Sequence, residues 1–302
     1  MIPKIIHYCW FGGNPLPPLA LECIASWRKF LPEYEIWQWV EGNEASLRDY
    51  EAAKGFAYET ERCTYEAAGR PAYNNDNVNE NDFFDKKLAF DVNIIPYTAE
   101  AYRQKKYAYV SDYARFWIMY QYGGIYFDTD VEVIKPLDDI ITKGNFMGFE
   151  QDPDGENTPG RYAPRFCFDV ALGLGFGMTK GHPFMKELMN HYATLRFDGA
   201  TMNPWLKTIV AHTTEMLCRK GLKNVPGIQL VDDITIYPGE YFAPINPISR
   251  RLHITANTRT IHRYMASWSQ QTHKSWKDYL RHYMPEWVFF LNNRIKRRRF
   301  KR

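Results

Sequence analysis

The chain opens with two alternating periods. An apolar run from Ile2 to Phe11, with Ile5, Ile6, Tyr8 and Trp10, stops at Gly12-Gly13-Asn14-Pro15, which predicts a short buried strand and then a turn. Leu19, Ile24, Trp27 and Leu31 recur close to one helical face and predict a helix over 19–30. Ile36, Trp37 and Trp39 predict a second strand over 34–40. Strand, turn, helix, strand is the opening of an α/β sheet.

Residues 41–89 break the rhythm. They hold 11 acids against 6 bases, and Asn74 to Asp82 is a polar low-complexity stretch. A helical excursion over 44–68 followed by a loop is expected there. Rhythm resumes with a helix over 99–106. Ser111 reads as the N-cap of a helix over 112–122, which Gly123-Gly124 stops. A strand through Ile125-Tyr126-Phe127 runs into Asp128-Thr129-Asp130 and continues as Val131-Glu132-Val133. Further on the pattern predicts a glycine-laced strand over 168–178, helices over 183–192 and 205–220, and strands over 234–237 and 260–264. Trp276, Leu280, Tyr283, Trp287 and Leu291 mark an amphipathic C-terminal helix.

Two carboxylates at i and i+2 past a buried strand share one cleft only if the chain turns between them; strand alternation would otherwise send them to opposite faces. In a shared cleft such hard oxygen ligands suit Mg²⁺ or Mn²⁺, which leave sites free for substrate phosphates. One helix length upstream, Asp112 and Arg115 share a helix face. The plainer alternative for that pair is a surface ion pair worth a few tenths of a kcal/mol.

Composition narrows the choice. Of 302 residues, 45% are apolar, 24% charged and 16% aromatic, enough for a sizeable core and many rings to face a sugar or a base. The net charge of +3 hides an asymmetry: Arg294 to Arg302 carry seven bases and no acid, so the body is acidic. That argues against nucleic acid as a partner. No run reaches the ~20 apolar residues of a membrane span, and the N-terminus does not read as a signal peptide. Five scattered cysteines read as free thiols in a reducing compartment. A cytoplasmic location is expected.

The run from Lys106 to Val133, centred on Ser111-Asp112-Tyr-Ala-Arg115 and Gly123-Gly-Ile-Tyr-Phe-Asp128-Thr-Asp130, resembles the sugar-binding D-x-D region of family 32 glycosyltransferases. That family includes bacterial capsular-polysaccharide and lipopolysaccharide transferases, related to yeast initiating mannosyltransferases and to the glucosylating domains of clostridial toxins. Ile2-Pro-Lys-Ile-Ile-His-Tyr-Cys-Trp-Phe-Gly-Gly resembles the family's first strand. His262-Arg-Tyr-Met-Ala-Ser267-Trp268 is similar, more weakly, to its closing His-x-x-x-x-Ser-Trp.

The resemblance implies a GT-A-like fold over 1–268: a mixed, mostly parallel sheet flanked by helices, with 41–89 as an atypical helical insert and 269–302 as amphipathic helix and basic tail. It implies a metal-dependent, retaining transfer of a hexose from a nucleotide sugar to a glycan acceptor in cell-surface polysaccharide synthesis. A UDP-hexose is favoured, with GDP-mannose next and a non-catalytic sugar- or membrane-binding role last. Trp10 would stack on the base, its alternative being a core tryptophan. Asp112 and Arg115 would hold donor-sugar hydroxyls, and Tyr126 would sit near the diphosphate. Asp130 would bind Mn²⁺ or Mg²⁺ directly, while Asp128 would contact sugar, ribose or the metal through water. Ser267 and Trp268 would close on the diphosphate. His262 stands as either a further metal ligand or a structural histidine. The apolar helix and basic tail suggest a peripheral anchor on anionic lipid at the inner membrane face, toward a lipid-linked acceptor. Liposome sedimentation with and without residues 294–302 tests this.

Overall fold

The computed structural model describes residues 1–42, 83–155, 168–199, 208–246 and 251–265. The helical excursion and polar stretch expected between 43 and 82 lie outside those residues. So do Ser267, Trp268, the C-terminal helix, the basic tail, Cys63 and Cys167.

Strand β1 (Ile5–Cys9) leads through α1 (Pro18–Phe30) to β2 (Glu35–Glu41), close to the expected bounds. Two prolines open α1, where a missing N–H costs nothing. The chain re-enters the sheet as β3 (Lys86–Phe90), paired parallel to β2 along its whole length. Both ends of the supposed 41–89 insert are therefore sheet: Glu41 closes β2 and 86–89 belong to β3. Next come α2 (Pro96–Arg103), α3 (Tyr107–Tyr122) and β4 (Gly124–Tyr126). Gly123 ends α3 at φ +66°, its N–H donating to the Met119 carbonyl, the C-terminal stop expected of it.

Ser111 is not an N-cap. Helix α3 begins four residues earlier, and the Ser111 hydroxyl donates to the Tyr107 carbonyl at 3.2 Å. Val110, Tyr113, Ala114 and Phe116 are buried, so tertiary packing extends the helix past the local capping signal. Asp112 and Arg115 consequently sit in mid-helix.

After β4 come β5 (Val131–Val133), the short α4 (Asp138–Ile141), β6 (Asn145–Gln151), β7 (Asp169–Val170) and β8 (Phe176–Met178). The strand expected over 168–178 is thus broken, by a 3₁₀ turn at Leu172–Leu174. Then follow α5 (Pro183–Ala193), α6 (Ile209–Arg219), β9 (Gln229–Val231), β10 (Ile234–Tyr237) and β11 (Thr260–His262).

Among the described residues nine strands form one sheet in the order β3-β2-β1-β4-β8-β6-β10-β9, with β7 beside β6. Strands β1–β4, β6 and β10 run one way; β7, β8 and β9 oppose them. The sheet is mixed and mostly parallel, as expected, with one apolar cluster on each face. Strand β5 leaves it and pairs antiparallel with β11 in a separate two-stranded sheet. Helix α1 holds β5 in place: the Trp27 indole donates to the Val131 carbonyl at 2.7 Å, and Ser26 accepts from the Val133 N–H at 2.9 Å.

His7 pins the centre of the sheet. Its Nδ1 accepts from the Trp39 indole at 3.1 Å, a donor-only group, so Nε2 carries the proton toward the Gly123 carbonyl at 2.9 Å. Burial lowers its pKa to about 4, against a favourable bond to that carbonyl. A histidine held neutral in the fold contributes stability above the unfolded pKa near 6.5. That contribution is lost as pH falls from there to about 4, amounting to about 3 kcal/mol. Urea unfolding at stepped pH should show this acid arm, and His7→Gln should flatten it. Equal slopes in both proteins would contradict the assignment.

Candidate functional site

The site forms where the carboxyl ends of neighbouring parallel strands β1 and β4 meet, the usual ligand edge of an α/β sheet. Beyond β4 the chain turns: the Val131 N–H donates to the Asp128 carbonyl at 3.1 Å. That turn is the condition under which the two acids share one cleft. Strand β11, paired with β5, then delivers His262. Ligand atoms of Asp128, Asp130 and His262 lie within 4.8 Å of one another, the one such His/Cys/Asp/Glu group among the described residues.

Asp130 is buried and fully engaged. Its Oδ1 stands 3.2 Å from His262 Nε2, and its Oδ2 accepts from the Met265 N–H at 2.7 Å. The Asp130 carbonyl accepts from the Arg263 N–H at 2.8 Å. Burial raises its pKa, but His262 and the backbone N–H groups of Met265 and of Asp130 itself outweigh burial and hold it below the usual carboxylate range. Burial would also lower His262. The charges of Asp130, then Asp128 and Glu150, prevail and push it up to about 8, while its buried Nδ1 has no hydrogen-bond partner. The cluster demands positive charge, and a proton on His262 or a divalent cation can supply it. Two carboxylates and an imidazole fit Mn²⁺, and the carboxylates alone fit Mg²⁺.

Arg115 ties the second constellation to the first. Its Nη2 lies 3.2 Å from Asp128 Oδ1 and 3.6 Å from Asp112 Oδ1, its Nε donates to the Ser111 carbonyl at 3.1 Å, and its guanidinium covers the Tyr126 ring at 4.8 Å. Asp112 and Arg115 are 8% and 4% exposed, with α2 and α5 packed against α3 and the Arg115 guanidinium over the Tyr126 ring of β4. The surface ion pair is therefore excluded. Burial pushes Asp112 up to about 7, against the pull of Arg115, so its carboxyl can give or take a hydrogen bond near neutrality.

Trp10 follows β1, half-buried on the opposite face from Cys9; its indole donates to the Asn14 carbonyl at 2.6 Å. It is neither a full core residue nor a free one. Cys9, Cys23 and Cys218 are free thiols.

Gly173 escaped the sequence reading. Its carbonyl accepts from the Asp128 N–H at 3.2 Å, and a Cβ there would overlap the Asp128 carboxylate. Only a glycine lets the 3₁₀ turn floor the site this closely. Gly173→Ala should displace Asp128 at a cost of about 1–3 kcal/mol and lower turnover. A variant with wild-type melting temperature and wild-type rate would show that the contact is slack.

The family described as glycosyltransferase sugar-binding region containing DXD motif matches residues 17–147, a span that holds Asp112, Arg115, Asp128 and Asp130 but neither Trp10 nor His262. Initiation-specific alpha-1,6-mannosyltransferase of Candida albicans is 31% identical over 32% of this chain and 27% of its own length. Inositol phosphoceramide mannosyltransferase 1 of Schizosaccharomyces pombe is 21% identical over 63% and 42%. The chain thus spans less than half the length of these curated relatives. The solved structure of PaToxG glycosyltransferase is similar over 73% of this chain and 70% of its own, with 17% identity and a TM-score of 0.42. Residues 17–147 are thus similar to the glycosyltransferase sugar-binding regions that contain a DXD motif.

Proposed function

We propose that the protein transfers a hexose from a nucleotide sugar to a glycan acceptor, with retention of configuration and with Mn²⁺ or Mg²⁺ at Asp128, Asp130 and His262. The convergence of those three residues, with Arg115 joining Asp128 to Asp112, carries the reading.

A bound cation supplies Lewis-acid neutralisation of the departing diphosphate. The chain does the rest by binding and orientation. Arg115 fixes both carboxylates, leaving Asp112 with unused acceptor capacity for sugar hydroxyls. Tyr126, stacked under Arg115, closes the floor. Trp10 offers a flat ring at the rim for the base. Transfer breaks the bond from the anomeric carbon to phosphate oxygen and forms one to the acceptor oxygen on the same face. The acceptor proton passes to the departing phosphate, so no protein nucleophile is assigned.

A UDP-hexose is the first donor in this reading. GDP-mannose is the second, favoured by the two yeast relatives, both named as mannosyltransferases. A thermal-shift panel of nucleotide sugars with and without Mn²⁺ tests both. The right donor should stabilise the fold by about 2.7 kcal/mol at a hundredfold excess over Kd, and only with metal. A panel with no shift for any donor would overturn the proposal.

A further inference from the structure

The loop after β1 is held by a carboxylate from the neighbouring strand. Glu41, the last residue of β2, turns both side-chain oxygens on the Gly12 N–H, at 3.1 and 3.0 Å. The Tyr102 hydroxyl of α2 donates to Oε1 of the same carboxylate at 3.2 Å. Tyr102 packs its ring on Tyr107 with centroids 5.5 Å apart. Tyr107 in turn fills the space a Gly12 side chain would need: a Cβ there would lie 2.6 Å from its Cζ, and Gly12 sits at φ +97°, where L side chains are strained.

Trp10 depends on this turn. Its backbone N–H donates to the Trp39 carbonyl at 2.8 Å, which fixes where the residue leaves the sheet. Its ring direction is set by the indole bond to the Asn14 carbonyl, which the Gly12-Gly13 turn brings back to it. The shape of the turn sets the ring, and Glu41 holds the turn. A charged acceptor suits that task, since such hydrogen bonds are roughly twice as strong as neutral ones.

We propose that Glu41 is a positioning residue for the nucleotide-base platform, acting through Gly12 and Asn14 on Trp10 without touching the ligand. The proposal rests on the nucleotide-sugar reading above. It explains why a carboxylate stands at the end of β2 with its oxygens aimed at a main-chain N–H rather than at the cleft. A loop that keeps its binding shape only a tenth of the time binds about tenfold more weakly.

The test titrates UDP and GDP, each with Mn²⁺, into the full-length chain by calorimetry, with melting temperature and amide exchange of residues 10–15 followed in parallel. For whichever nucleotide the wild type binds, Glu41→Ala should raise Kd about tenfold and speed exchange in that segment at unchanged melting temperature. Glu41→Gln should recover part of the affinity, because its amide oxygen still accepts from Gly12. Tyr102→Phe should raise Kd less. In turnover the donor KM should rise while kcat is kept. If Glu41→Ala does not fold, Glu41→Gln decides: weaker binding at unchanged melting temperature supports the role, and wild-type binding refutes it. Should both variants bind like wild type, the positioning role fails and the nucleotide reading stands. Should wild type bind neither nucleotide, both fall together.

Discussion

Asp130→Asn should lower transfer by at least about a hundredfold while the protein still folds. In the proposed reading Asp130 holds the metal directly, and such a ligand should matter no less than the outer partners whose loss costs 10–100-fold in metal affinity or activity. The local bonds explain why the fold should survive. One Asp130 oxygen accepts the Met265 N–H and the other faces His262, and an asparagine can keep the first with its own carbonyl. What it loses is the negative charge. Mn²⁺ titration by calorimetry should show the weakening directly, with melting temperature near wild type. Asp112→Asn should differ in kind, harming sugar recognition while free nucleoside diphosphate still binds. Equal loss of diphosphate binding in the two variants would contradict this division of roles.

Arg115→Met should cost about 3–5 kcal/mol, the largest stability effect expected of any single change at the site. Among the described residues the guanidinium is the one cation beside buried Asp112, whose carboxyl burial has already pushed up to about 7. Without Arg115 that pKa rises further. A carboxyl with a raised folded pKa contributes stability below its unfolded pKa, near 3.8, and loses it as pH rises through the folded value. The variant's deficit in urea should therefore be larger at pH 8 than at pH 5. A deficit independent of pH would mean that lost packing over Tyr126, rather than charge, dominates.

Much of this was legible in the chain. The alternation through Ile36, Trp37 and Trp39 located β2, Gly123 stopped α3 where its left-handed φ is needed, and Asp128-Thr129-Asp130 marked the candidate site. What stayed hidden has physical causes. Strand β6, Asn-Phe-Met-Gly-Phe-Glu-Gln, is buried on both faces over its first five residues, so it shows no alternation to read. Ser111 carried a genuine local capping signal that packing of Val110 and its neighbours overrode. The role of Gly173 is invisible without Asp128 beside it, and the choice left open for His262, ligand or structural histidine, turns on the pairing of β11 with β5 that sets it beside Asp130.

That pairing also bears on the order in which the protein becomes competent. Met265 binds Asp130 across 135 positions of chain, and His262 arrives from almost as far. A nascent chain that has emerged only through residue 147 already contains the whole matched region with its two aspartates, yet it lacks the third member of the ion cage. Ion affinity should therefore appear late in synthesis, as a signal that the distal strand has docked. Once held, the ion would act as a staple across a very long loop, and closure entropy makes such long-range ties hard to re-form after they open. Thermal or proteolytic detachment of the β11 segment would then release the ion before the main sheet loosens.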